Sequence, residues 1–246
     1  LHAALTAPER QRILDRPTHS TEAYNCYLLG MHYWYRFSVE GVQKAGEYFT
    51  KALALDASYA PAHAGMANYY LMLGGAPLNV MPASDAIPSA KRAAEQALRV
   101  NPSLALGLEA LALIQCWFEW DWDAARATAT RATEVDPNSA MGWGALAHAC
   151  NVSSLHDDAV RSAVHAVELD PLSPLMLQIA SWVHCHARRY DEAEKYVNRL
   201  IEVQPDFPLA VVMQAEILLA RGKNAEALAV LAPREEIMRP FDYSMA

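Results

Sequence analysis

Four cysteines in 246 residues, Cys26, Cys116, Cys150 and Cys185, lie far apart and form no CxxC pair. That spacing excludes a disulfide framework and a paired-cysteine zinc or redox motif, and it fits reduced thiols in a cytoplasmic setting. Positive charge is also scarce. Lys and Arg total 20 against 28 acids, a net charge of −8, the wrong sign for neutralising phosphates, so no nucleic-acid partner is expected. No apolar run reaches the ~20 residues that a membrane helix needs. The start, LHAALTAPERQRIL, has neither methionine nor the apolar stretch of a signal peptide, so residues 1–20 are expected to lead in from a preceding domain of a longer protein. Val, Ile and Thr are sparse beside abundant Ala, which favours helix over sheet. GxSxG, HExxH and the phosphate-binding loop are all missing, so no enzyme, no cofactor and no metal are expected in this chain.

What is present is repetition. ALALDASYAPAHAGMA, ALRVNPSLALGLEALA, ATEVDPNSAMGWGALA and AVELDPLSPLMLQIAS align without gaps, each reading as a helix end, a turn and a new helix. The turn prolines Pro102, Pro137, Pro171 and Pro205 stand 35, 34 and 34 apart. Two columns of small residues fix the register: Gly30, Ala67, Ala112, Ala147, Ser181 and Ala215, and Ala45, Ala90, Ala125, Ala159, Ala193 and Ala227. From each member of the second column to the next member of the first the step is always 22. Antiparallel helices need a side chain no larger than a methyl where their axes come closest, so each unit is a hairpin of an A and a B helix.

Small residues in both helices, an aromatic after the turn (Trp122, Tyr190), a third column in helix B (Ala52, Ala97, Ala132, Ala166, Leu200), the early Trp143 and the closing Asp-Pro resemble the tetratricopeptide repeat (TPR). The resemblance implies an all-α, right-handed superhelix of six hairpins, at about 22–57, 60–102, 105–137, 140–171, 174–205 and 208–232, with a tail over 233–246. A helices are expected to begin near Thr21, Ala60, Ser103, Ser139, Ser173 and Phe207.

The within-hairpin step is 12 in the last three repeats and 15, 23 and 13 in the first three, so irregularity is confined to the A-to-B turns. The long second turn, GGAPLNVMPASDAIPSAK, reads as a loop with Ser84 capping the next helix and Pro88 in its first turn. The third, CWFEWDWDAA, is one residue longer than the regular turns. There Trp122 is expected to pack inside the repeat, Asp121 or Asp123 to cap helix B, and Glu119 to be a solvated turn residue.

His184 and His186 point about 200° apart on a helix and cannot share an ion; His184 belongs to the packing and His186 to the inner face. Cys150 and His184 occupy matching places in adjacent A helices but make only two ligands. The acids Asp157, Asp158, Asp191 and Glu194 suit the positive starts of B helices.

In the resembling family the A helices line a concave groove. Carried across, the inner positions are Tyr24, Tyr27, Met31, Trp34 and Tyr35, then Asn68 and Met72, then Glu109, Leu113 and Trp117. The later repeats add Met141, His148 and Asn151, then Gln178, Trp182 and His186, then Val212 and Glu216. The basic clamp with which co-chaperone TPR domains hold acidic tails is missing. The surface suits a protein or peptide with bulky side chains, unless the aromatics are covered by the chain's own segments or by a second copy. Trp34, Trp117 and Trp182 are expected to be partly exposed, Trp122 and Trp143 buried.

Together, the lead-in LTAPERQRILDRPTHSTEAYNCYLLG, the extended first repeat, the Pro-rich second loop and the WDW turn resemble the C-terminal TPR regions of bacterial adenylate/guanylate cyclase-like and winged-helix signalling regulators. This implies a protein-interaction or scaffold module. A small-ligand sensor and a homo-oligomerisation segment stand as alternatives.

Overall fold

The computed structural model describes residues 18–36, 38–75, 78 and 80–232. The lead-in before residue 18, part of the second loop and the tail after Ala232, with the roles expected of them, lie outside that set. Among the described residues there are twelve α-helices and no strand. They are α1 (Thr21–Trp34), α2 (Val39–Leu55), α3 (Ala60–Gly74), α4 (Ala83–Val100), α5 (Ala105–Ile114), α6 (Trp122–Val135), α7 (Ala140–Val152), α8 (His156–Leu169), α9 (Pro174–His186), α10 (Tyr190–Val203), α11 (Pro208–Ala220) and α12 (Asn224–Leu231). Odd-numbered helices are the A set, even-numbered the B set. No helix among the described residues is long and apolar enough to cross a membrane.

Both columns of small residues are buried where the paired helices meet. So is the third column, from Ala52 to Leu200. A close approach is made at Phe49, whose ring lies so near the backbone of Gly30 and Gly65 that a Cβ on either glycine would overlap it.

The five joints from a B helix to the next A helix are built alike. Asp56, Asn101, Asp136, Asp170 and Gln204 each close a B helix at φ between −148 and −135 and ψ between 81 and 97, with the backbone N–H donating to the carbonyl of the third-column residue four places back. Each carbonyl then accepts from the N–H three residues on, at 3.1–3.3 Å. Every following A helix starts four residues after that closing residue. At the second joint this puts the start at Ala105 instead of Ser103, because Asn101 accepts from the Ser103 N–H at 3.0 Å and holds the serine in the turn.

The A-to-B turns differ among themselves. Ser154, Arg188 and Gly222 sit in the left-handed region at φ 60, 59 and 75, and each begins a regular turn between α7 and α8, α9 and α10, and α11 and α12. In the third hairpin the extra residue is taken up by a π-helical turn, Gln115–Glu119, which passes the left-handed role to Trp120 at φ 57. In the second, α4 starts at Ala83 after Pro82, so Ser84 lies inside the helix and is not its cap, and Pro88 stands beyond the first turn.

Successive odd-numbered helices pack against one another, whereas successive even-numbered helices are splayed apart. The closer-packed rail lies on the smaller radius, so the A helices line the inner face. One contiguous cluster joins Trp34, Ala45 and Phe49 of the first hairpin to Ala147, Leu177 and Ile179 of the fourth and fifth. Buried residues linking the second and third hairpins form a separate cluster, while Met66, Tyr69 and Met72 of the second hairpin pack against the first one.

Candidate functional site

The inner face divides in two. Towards the first three hairpins it is filled by the protein itself. Trp34 is only 4% exposed, contrary to the partial exposure expected of it, because it belongs to the large buried cluster. Asn68 and Glu109 are buried there as well, as are Asn151 and Gln178 in the fourth and fifth hairpins. Tyr27, Met31, Met72 and Met141 are half-buried against the same cluster, and Glu216 is half-buried; Tyr24 and Tyr35 are exposed.

Glu109 shows what this packing does to charge. Its carboxylate accepts from the Ser139 hydroxyl, the cap of α7, at 2.5 Å. Burial nevertheless pushes its pKa up to about 7, and Asp136 adds to the rise. Burial first, with Glu109 contributing, also raises the Tyr27 and Tyr35 phenols, which brings the first and third hairpins into one electrostatic neighbourhood.

From the third to the fifth hairpin the face is aromatic and partly open, with Trp117 and His186 exposed and His148 and Trp182 half-buried. Trp117, carried on the π turn, is 39% exposed. Its ring lies 5.2 Å from His148 on α7 and 5.5 Å from Trp182 on α9. His148 and Trp182 are 5.1 Å apart, and Trp182 and His186 are 4.6 Å apart. These four rings form a ladder across three successive A helices. Asn151 braces its end: its amide donates to His186 Nδ1 at 2.9 Å and its carbonyl accepts from His156 Nδ1 at 3.4 Å, leaving the His186 proton on Nε2.

Burial lowers the His148 pKa to about 4. It also lowers that of His186, with the charge on His156 acting the same way. The ladder is therefore a neutral surface at physiological pH, suited to apolar and aromatic groups and to single hydrogen bonds. His148 Nδ1 is buried with no hydrogen-bond partner among the described residues. The bracing His156 was not singled out in the sequence, since the first residue of a B helix carries no inner-face signature.

His184 is buried on the Ala180 carbonyl at 2.8 Å, facing Tyr196, while the exposed His186 faces the ladder. No three His, Cys, Asp or Glu side chains among the described residues converge as metal ligands do.

Three expectations about the turns need correction. Trp122 is not buried but 41% exposed; the hairpin closes there on Cys116, Ala125 and Ala149, and the indole leans towards Trp120 instead. Glu119 is paired with Lys91 of the preceding hairpin, so it is not simply solvated. Trp143 is half-buried, donating to the Pro137 carbonyl at 2.9 Å and meeting His165 edge-on. The capping expectation does hold, with Asp121 accepting from the Ala124 N–H at 3.1 Å.

The comparisons with known proteins meet this geometry directly. A tetratricopeptide repeat model matches residues 186–232. Among solved structures, PilW, a type IV pilus biogenesis factor, superposes with a TM-score of 0.62 at 15% identity, covering 92% of this chain and all of that one. A thermophilic TPR protein of Thermus thermophilus gives 0.60 at 18% identity, over 84% of this chain and 99% of its own. The fold is a TPR superhelix. PilF of Pseudomonas aeruginosa gives 0.56 at 16% identity, over 91% of this chain and 97% of its own. At such identities the likeness concerns the fold alone. A comparison with curated protein sequences found no match. Within the TPR superhelix, the aromatic ladder lies on the A-helix rail, and the fold fits a protein-interaction or scaffold role.

Proposed function

We propose that this chain is the interaction module of a bacterial cytoplasmic signalling protein, holding a bulky side chain of a protein or peptide partner on the ladder of Trp117, His148, Trp182 and His186. The observation that carries the reading is the ladder itself, with Trp117 and His186 exposed at its two ends and Trp34, further along the rail, buried. Large rigid rings bury area at little entropic cost, and neutral imidazoles add directional hydrogen bonds without a charge to desolvate. The signalling context is supported by the resemblance of the first repeat, the Pro-rich loop and the WDW turn to cyclase-like and winged-helix regulators.

The test compares Trp117→Ala and Trp182→Ala with the parent, first for melting temperature and then for the protein retained from a bacterial lysate. Loss of one and the same protein in both variants, with folding kept, is the expected result. Retention in both variants excludes the ladder as the binding surface.

A further inference from the structure

Away from the ladder, the turn between α5 and α6 presents two indoles to solvent. Trp120 is 72% exposed, the highest value among the exposed large hydrophobic residues, and Trp122 stands beside it with ring centroids 6.5 Å apart and planes inclined at 55°. A cleft of about 440 Å³ opens alongside, walled by the two indoles, Asp121, Asp123 and Arg126 and closed by the turn after α7.

Folding gives no reason for this display. Trp120 occupies the left-handed position that Gly222 holds in the last hairpin, and a bulky side chain is strained there. With 72% of its surface in solvent, the residue is not part of the buried cluster of Cys116, Ala125 and Ala149. The regular turns at Ser154, Arg188 and Gly222 place no indole at this position, so the one-residue insertion makes the corner peculiar to the third hairpin.

The charge of the corner narrows what fits it. Asp121 uses one oxygen to cap α6, and the Asp123 carboxylate is almost wholly in solvent. Arg126 already pairs with Asp123 at 2.8 Å, so two carboxylates face one guanidinium and the wall stays negative. Indole faces attract cations through their quadrupole, and a chain of net charge −8 draws cationic partners towards it. We propose that this corner docks a cationic segment of a protein partner, a Lys or Arg side chain lying against Trp120 and Trp122 with its charge towards Asp121 and Asp123. Rings inclined at 55° form a corner for a slim side chain, whereas a saccharide stacks best on a flat, open face.

The site is independent of the inner ladder, and one titration separates them. The full chain is titrated with N-acetyl tetra-arginine amide while the indole N–H resonances, assigned by single Trp→Phe changes, are followed. The Trp120 and Trp122 signals should move and those of Trp117 and Trp182 should stay. Trp120→Gly should weaken binding about tenfold and Asp123→Asn about threefold. Because glycine suits φ 57, the Trp120→Gly chain should melt no lower than the parent. Equal binding by parent and Trp120→Gly overturns the proposal, since it reduces the effect to diffuse attraction. Movement of the two indoles by maltotriose but not by tetra-arginine overturns it in favour of a saccharide. A melting point several degrees lower for Trp120→Gly overturns the premise that the ring serves no packing.

Discussion

The two edges of this solenoid follow opposite rules. At the B-to-A edge five joints share one hydrogen-bond pattern and one spacing, although the closing residue is Asp, Asn or Gln and the position just before the next helix is filled variously by Tyr59, Leu104, Ser139, Ser173 and Phe207. At the A-to-B edge one common turn survives only in the last three hairpins; in the others the chain inserts a π turn or runs into a longer loop. The difference shows where geometry is under constraint. Each joint sets the position of a whole hairpin on its neighbour, so an error there is inherited by everything downstream. A turn at the other edge only has to reverse one hairpin, and extra residues can be spent on display, as Trp117 and Trp120 are.

If the joints hold the stack, the largest losses belong to them. Phe207 is buried at the fifth joint, and Phe207→Ala should cost about 3–5 kcal/mol in a denaturant melt. The third joint is exposed to pH through Glu109. Its folded pKa of about 7 lies above the unfolded value near 4.5, so the native state holds the extra proton between them. Stability should therefore be higher on this account at low pH and fall by roughly 3 kcal/mol as pH rises from 4.5 through 7. Melts of parent and Glu109→Gln across that range should converge at the acid end and separate above pH 7, with Glu109→Gln the more stable. A difference that stays flat with pH would place the carboxylate in water.

Between the edges, Ala193→Leu overpacks the buried helix contact and should lose about 1–3 kcal/mol. At the turn edge the sign can even reverse. Arg188→Gly should gain about 0.5–1 kcal/mol by relieving a left-handed residue, while Gly222→Ala should lose a similar amount. Smallest of all, Glu119→Gln removes a surface ion pair with Lys91 and should change stability by under about 1 kcal/mol. Joint and turn variants of equal effect would erase the distinction between the edges.

The stack was legible in the sequence because its demand is local. A methyl-sized residue at each helix contact repeats at a fixed step, and Ala45 through Ala227 record it. The extra residue in CWFEWDWDAA was legible as a count, but a count cannot say that it becomes a π turn or that Trp122 swings outwards. The inner face was legible only as a list of positions. Whether a listed side chain stays open depends on how tightly the superhelix coils, a property summed over several hairpins. Trp34 and Trp117 lie on the same rail; coiling buries the first and leaves the second partly open.

The buried cluster that the first hairpin shares with the fourth and fifth changes how the chain should come apart. A repeat array whose units touch only their neighbours behaves as a one-dimensional chain, frays from either end and loses stability one unit at a time. A clasp between distant units couples an end of the array to its middle. Unfolding of α1 and α2 would strip cover from α7 and α9, so hydrogen exchange in the fourth hairpin should track the first more closely than the second hairpin's place between them would suggest.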